Sequence, residues 1–166
     1  QYSELLNVPK ALEILVESGQ LPPIQAVFVS HPSDTLRPQE LTPNKAYTQF
    51  FIDELMPFID QKLQNRDRSK TVILGSSLGG LSSAYMAMQF PQQISHVVPL
   101  SGSFWWQKDS QDLPNSMSKI IRESSNQSKQ QWFISANTYE TSKNNNDLSI
   151  LETSEIVAND LKKQGY

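Results

Sequence analysis

Ser77 is the residue of this sequence with the plainest chemistry. It stands at the centre of Gly75-Ser76-Ser77-Leu78-Gly79, directly after the short β-branched run Thr71-Val72-Ile73-Leu74 and before a helix-forming segment. A serine in Gly-x-Ser-x-Gly between a strand and a helix forms a nucleophile elbow, a strained turn that projects the hydroxyl from the top of a sheet. The chemistry this allows is acyl transfer, with Ser77 as nucleophile. The backbone N–H of Leu78 then lies at a helix N-terminus and serves as one oxyanion donor. Gly75 and Gly79 are expected to be glycine because a side chain at either would collide with the neighbouring strand or helix.

The pentapeptide gains weight from its surroundings. Thr71 to Leu74 suits a buried central strand of a parallel sheet. Leu81 to Met88 carries the small and apolar residues of a helix packed tightly on a sheet, and Pro91 closes it. Around this unit the chain alternates. A helix is expected over Ser3–Ser18 with Gly19 as its stop, a buried strand over Ile24–Val29, and a polar loop over His31–Leu41. Thr42 is the expected N-cap of the next helix, with Pro43 at its first position. That helix shows a stripe of Phe50, Phe51, Leu55 and Phe58, read as core, and Pro57 should kink or restart it. Ile94–Leu100 and Gln131–Ala136 are further strands, Ser116–Glu123 and Leu148–Lys163 further helices. Strands alternating with helices predict a mainly parallel sheet with right-handed crossovers.

Composition narrows the function classes. The chain has 166 residues, the length of one domain, with a net charge of −3 and scattered basic residues, so no nucleic-acid partner is expected. Mean hydropathy is −0.46, and no apolar run is long enough to span a bilayer, so no membrane partner is expected. There is no cysteine, which excludes thiolate chemistry and fits a reducing compartment. The expected location is therefore cytoplasmic, with the periplasm as the alternative. Two histidines without a carboxylate cluster at ligand spacing leave no metal site and no cofactor.

Several segments resemble the enterochelin (enterobactin) esterase family, serine esterases with an α/β-hydrolase catalytic domain. They are Leu21-Pro22-Pro23, Arg37-Pro38-Gln39-Glu40-Leu41, Glu54-Leu55-Met56-Pro57, Gly75 through Gly80, and above all Ser101-Gly102-Ser103-Phe104-Trp105-Trp106. The resemblance covers nearly the whole chain. It implies an α/β-hydrolase-type three-layer sandwich, a single partial domain over 1–166 that is incomplete at both ends. It also implies hydrolysis of a catecholate siderophore ester, a small-molecule substrate, with release of iron. Ser77 falls on the family's nucleophile. Glu140 falls where the family places an acid after the corresponding strand, either as the residue that orients the histidine or as an exposed loop carboxylate, with Asp147 as its rival. The family's histidine lies in a Gly-Gly-His-type motif beyond Tyr166, and an Asp-Gly-type oxyanion segment precedes Gln1. The residues given are thus expected to lack the base and half of the oxyanion apparatus.

Neither histidine present is a convincing substitute. His96 enters its strand at the N-terminal end, away from the carboxyl edge where such sheets gather their chemistry, while His31 follows a strand at the productive edge. Trp105 and Trp106 should rim that edge, one offering a stacking face to a catechol ring and the other packing as core. Arg37 either pairs with an anionic siderophore or makes a loop salt bridge with Glu40. Two rival functions remain: a general carboxylesterase or S-formylglutathione hydrolase-like enzyme, and a non-catalytic binding module on the same fold. An unfinished sheet would expose an edge and apolar faces, so self-association is expected of the chain in isolation.

Overall fold

A computed structural model of the chain describes residues 7–166 apart from 32, 64–66, 110, 111, 113, 126–128, 145 and 146. Leu5, Leu6 and the expected start of the first helix lie outside the described residues. The chain divides into two compact units, Gln1–Asp34 and Thr35–Tyr166.

In the first unit, α1 spans Val8–Glu17. It ends as Gly19 predicts: Gly19 takes φ 72°, its N–H donates to the Val16 carbonyl, and the Gln20 N–H reaches back to Leu15. This pair of bonds is a Schellman cap, and a left-handed residue is what it requires. The expected strand over Ile24–Val29 is not formed. These residues carry no regular secondary structure, and Ile24, Val27, Phe28 and Val29 are exposed. A strand exists only through its ladder, and among the described residues this segment has no ladder partner. Leu12, Val16, Ile24 and Phe28 line an open groove between it and α1.

The second unit opens with α2, Leu36–Leu41, where a loop was expected. Next comes α3, Lys45–Phe50, and its cap is Asn44 rather than Thr42. The Asn44 Oδ1 accepts from the Tyr47 N–H at 3.0 Å, while its Nδ2 donates to the Gln39 carbonyl at 2.9 Å. One amide thereby ties α2 to α3, a double role that a threonine hydroxyl in position 42 does not fill. Phe51–Leu55 then forms a π-helical turn, and α4 restarts at Met56–Lys62 with Pro57 in its first turn. Pro57 has no N–H for the Asp53 carbonyl, and a wider turn before it absorbs the loss. That turn also decides which side chains are core. Thr48, Ile52, Met56 and Ile59 are buried, whereas Phe50 and Phe58 are exposed. The aromatic stripe is therefore not core as a whole, although Phe51 packs partly inward.

The sheet consists of β1 (Val72–Ser76), β2 (His96–Leu100) and β3 (Gln131–Trp132), in that order and all parallel. Beyond β3 a single bridge joins Leu100 to Ser135, so the last strand is shorter than the expected Gln131–Ala136. Between the strands lie α5 (Leu78–Gln89) and α6 (Ser116–Glu123), and α7 (Ile150–Lys163) follows β3. In-register pairs such as Ile73 with Val97 and Val97 with Trp132 put those side chains on one face, as strand periodicity demands. On that face α5 sits between two clusters. Leu81, Ala84 and Met88 meet Phe104, Met117, Ile121, Val157 and Leu161, while Met86 and Ala87 meet Ile94 and Val97. The opposite face is open among the described residues: Val72 is 57% exposed, Leu74 51% and Phe133 64%. Thr71–Leu74 is thus not the fully buried run its composition suggests, because Val72 and Leu74 point to this open face while Ile73 packs on the covered one.

The end of α5 shows how closely this layer is fixed. Pro91 supplies no N–H to the Ala87 carbonyl four residues before it. The buried Gln130 does so instead, its Nε2 donating to Ala87 at 3.0 Å and to the Ile94 carbonyl at 2.9 Å.

Candidate active site

Ser77 occupies the turn between β1 and α5 with φ 56° and ψ −124°, a region that costs a non-glycine residue about 1–3 kcal/mol. The turn is held by bonds that compensate this strain. The Ser77 N–H donates to the Leu100 carbonyl at 3.1 Å, and the Ser77 carbonyl accepts from Gly80, Leu81 and Ser103 at 3.0, 3.1 and 2.9 Å. Strand β2 and the loop after it therefore fix the elbow from one side and α5 from the other.

The glycines of the motif play unequal parts. A Cβ on Gly75 would overlap the Gly79 carbonyl, whereas a Cβ on Gly79 would meet nothing within 4 Å. The expectation of a collision at both is corrected for Gly79, whose backbone, not its missing side chain, is what crowds the strand. The second tight position is Gly80, where a Cβ would lie 3.0 Å from the Gly102 Cα. Helix α5 enters this close to β1 and to the loop after β2 because three glycines face one another there.

The head of α5 directly follows Ser77. Leu78 is the first helical residue, and its N–H donates to no acceptor among the described residues. It is one of the donors a helix start leaves unsatisfied, at the positive end of the helix dipole.

Two serines that the sequence assigned no role complete the cluster. The Ser103 hydroxyl is buried and lies 3.2 Å from the Ser77 Oγ. Ser101, just past β2, takes φ 46° and donates its Oγ to the Glu140 Oε2 at 2.9 Å. The same oxygen accepts the Asn137 N–H at 2.7 Å, so Glu140 is a fixed carboxylate rather than a free loop side chain. Its Oε1 has no partner among the described residues. Asp147, its rival, is exposed in a left-handed turn. The available signal was the pair of hydroxyls in Ser101-Gly102-Ser103, immediately after the strand beside the elbow.

The remaining candidates are distributed unequally. Phe104 is fully buried, Trp106 packs against the α5–α6–α7 cluster, and Trp105 stays half-exposed outside it. Trp106 therefore takes the packing role, and Trp105 stands outside that cluster. Arg37 is half-buried on α2, which packs on α5, and makes no hydrogen bond to Ser77, Ser103 or Glu140. His96 pairs with Val72, four ladder steps from the Ser76–Leu100 pair beside the elbow, or about 13 Å at strand rise. Its Nδ1 lies 2.8 Å from the Ser95 Oγ, and it cannot serve Ser77. His31 belongs to the first unit. Among the described residues no group of three His, Cys, Asp or Glu side chains could hold a metal ion.

A family described as "Putative esterase" matches residues 1–164. The chain belongs to this esterase family. Its relatives include the iron(III) enterobactin esterase of Dickeya dadantii (strain 3937), 35% identical over 97 residues, which are 58% of this chain and 22% of that protein. The iron(III) enterobactin esterase of Escherichia coli O6:H1 is 33% identical over 106 residues, 63% of this chain and 26% of that protein. Among solved structures, the enterobactin esterase of Shigella flexneri in the presence of 2,3-di-hydroxy-N-benzoyl-glycine superposes with a TM-score of 0.82 at 23% identity. That match covers 98% of this chain and 41% of the solved one. The esterase resemblance carried by Ser101–Trp106 and the other motifs is therefore shown, and so is the α/β-hydrolase-type fold. This chain spans about a quarter of the length of those curated relatives.

Proposed function

We propose that the protein carrying this chain is a serine esterase that hydrolyses ester bonds of a catecholate siderophore such as enterochelin, releasing its iron. The observation that carries the reading is the strained Ser77 at the head of α5, beside a Leu78 N–H that has no acceptor among the described residues. In this mechanism the Ser77 Oγ attacks the ester carbonyl carbon and the carbonyl oxygen becomes an oxyanion against the Leu78 N–H. The Ser77 proton passes to a histidine oriented by the Glu140 carboxylate, then to the departing alcohol, and water cleaves the acyl-enzyme. The substrate class is taken from the relatives, whose names specify enterobactin, and from the catechol compound present with the Shigella enzyme. Trp105 supplies the face for a catechol ring, and Arg37 a cation for an anionic substrate. The exposed Val72, Leu74 and Phe133 support self-association of the isolated chain.

The test is Ser77→Ala in the full-length protein, assayed on ferric enterobactin and on a p-nitrophenyl ester. Loss of both activities at unchanged fold is expected, with enterobactin the better substrate of the unmodified protein. Undiminished hydrolysis in the variant refutes Ser77 as nucleophile, and a strong preference for the simple ester refutes the siderophore.

A further inference from the structure

Ser101 presents a contradiction that its backbone alone does not resolve. Its φ of 46° lies where glycine is the favoured residue and where a side chain is strained. Its backbone bond, the N–H to the Ser135 carbonyl at 2.7 Å, would be made equally by glycine. What glycine would lose is the hydroxyl, which donates to the Glu140 Oε2 at 2.9 Å. Glu140 sits in a turn closed by its own N–H to the Asn137 carbonyl at 3.0 Å, and its carbonyl accepts from Leu151 in the first turn of α7 at 3.2 Å. That turn fixes the Glu140 backbone. Among the described residues only the Asn137 N–H and the Ser101 hydroxyl fix the carboxylate itself, and both take Oε2, so the plane of the group and the direction of Oε1 depend on them.

We infer that Ser101 is a positioning residue: it accepts backbone strain in order to lock the Glu140 carboxylate with Oε1 turned free for the catalytic histidine. The inference rests on Glu140 being the acid of the triad. A side chain retained in a strained conformation at the sheet edge is the pattern expected where geometry serves a site rather than stability. A hydrogen bond to an ionised carboxylate is strong enough for its loss to misdirect the group.

The experiment compares Ser101→Gly, Ser101→Ala, Glu140→Ala and the double variant Ser101→Gly/Glu140→Ala in the full-length protein, on a p-nitrophenyl ester. Ser101→Gly should lower kcat about tenfold with KM within about twofold, while its thermal midpoint stays level or rises because the strain is relieved. Ser101→Ala should lose the same kcat. Glu140→Ala should fall further, and the double variant should be no slower than Glu140→Ala, since Ser101 acts only through that carboxylate. If Glu140→Ala is slow but Ser101→Gly keeps its kcat, the inference fails and the triad reading stands. A Ser101→Gly variant that loses kcat and thermal midpoint together, or a double variant slowed by the product of both effects, also overturns it. Full activity in Glu140→Ala overturns the triad reading itself.

Discussion

The two glycines flanking Ser77 should respond to the same substitution with opposite signs. Gly75→Ala places a methyl group on the Gly79 carbonyl, a backbone group that cannot rotate away. Relief requires α5 to move off β1, yet the Ser77 elbow at its start is tied to β2 and the loop after it by the Ser77 N–H to Leu100 and the Ser103 N–H to the Ser77 carbonyl, and its end is held by Gln130. Overpacking by a methyl group costs about 1–3 kcal/mol in cores where side chains yield. With backbone on both sides the cost should reach the top of that range, about 3 kcal/mol. Gly79→Ala meets nothing within 4 Å and replaces a helical glycine, for which alanine is better by up to about 1 kcal/mol. The two variants should therefore differ by about 4 kcal/mol. At about 2–4 °C per kcal/mol for a domain of this size, Gly75→Ala melts about 6–12 °C lower and Gly79→Ala a few degrees higher than the parent. Urea midpoints and thermal melts of the full-length variants measure this. Equal destabilisation at both positions, or a Gly75→Ala protein as stable as the parent, would refute the asymmetric packing drawn here.

Two further outcomes follow from named contacts. Gln130→Met keeps the volume but withdraws both donors from the Ala87 and Ile94 carbonyls; removal of the Gln130 Oε1, which has no partner among the described residues, offsets part of the loss, leaving about 2 kcal/mol, read as a lower urea midpoint. A midpoint matching the parent's would mean that α5 does not depend on this cap. Glu152 is held at a pKa of about 2 against its ordinary 4.5, first by the Lys143 ammonium and then by the Ser149 N–H and hydroxyl. Since the folded value is depressed, its contribution is full above about 4.5 and is lost as pH falls from there through about 2. Across that window the urea midpoint of the parent should fall more steeply than that of Glu152→Gln; parallel curves would show that the Lys143–Glu152 pair does not stabilise the loop carrying Glu140.

Local chemistry in the sequence was enough to place the strand–elbow–helix unit, the Schellman stop at Gly19 and the restart at Pro57, because each depends on a residue's own backbone limits. Helix α6 spans the expected Ser116–Glu123. The start of α7 is corrected from Leu148 to Ile150, because Ser149-x-x-Glu152 forms a reciprocal capping box that sets the first helical residue two positions later. Ile24–Val29 reads as a strand in composition, but a strand needs a partner, and no local signal reports one. The π turn before Pro57 redirected the Phe50–Phe58 stripe, an outcome that a fixed 3.6-residue period cannot express.

The site divides along the same line. Ser77 and the Leu78 N–H are contiguous in sequence, so the Gly-x-Ser-x-Gly pattern alone determined them as candidates. Glu140 and the Ser101–Ser103 pair come from two segments separate from the elbow, and only the parallel pairing of β1, β2 and β3 brings these chain ends to one edge. The sequence supplied two carboxylates, Glu140 and Asp147, and could not choose between them. The fold distinguishes them, because the Ser101 hydroxyl, 39 residues earlier in the chain, reaches Glu140, while Asp147 is exposed in a left-handed turn.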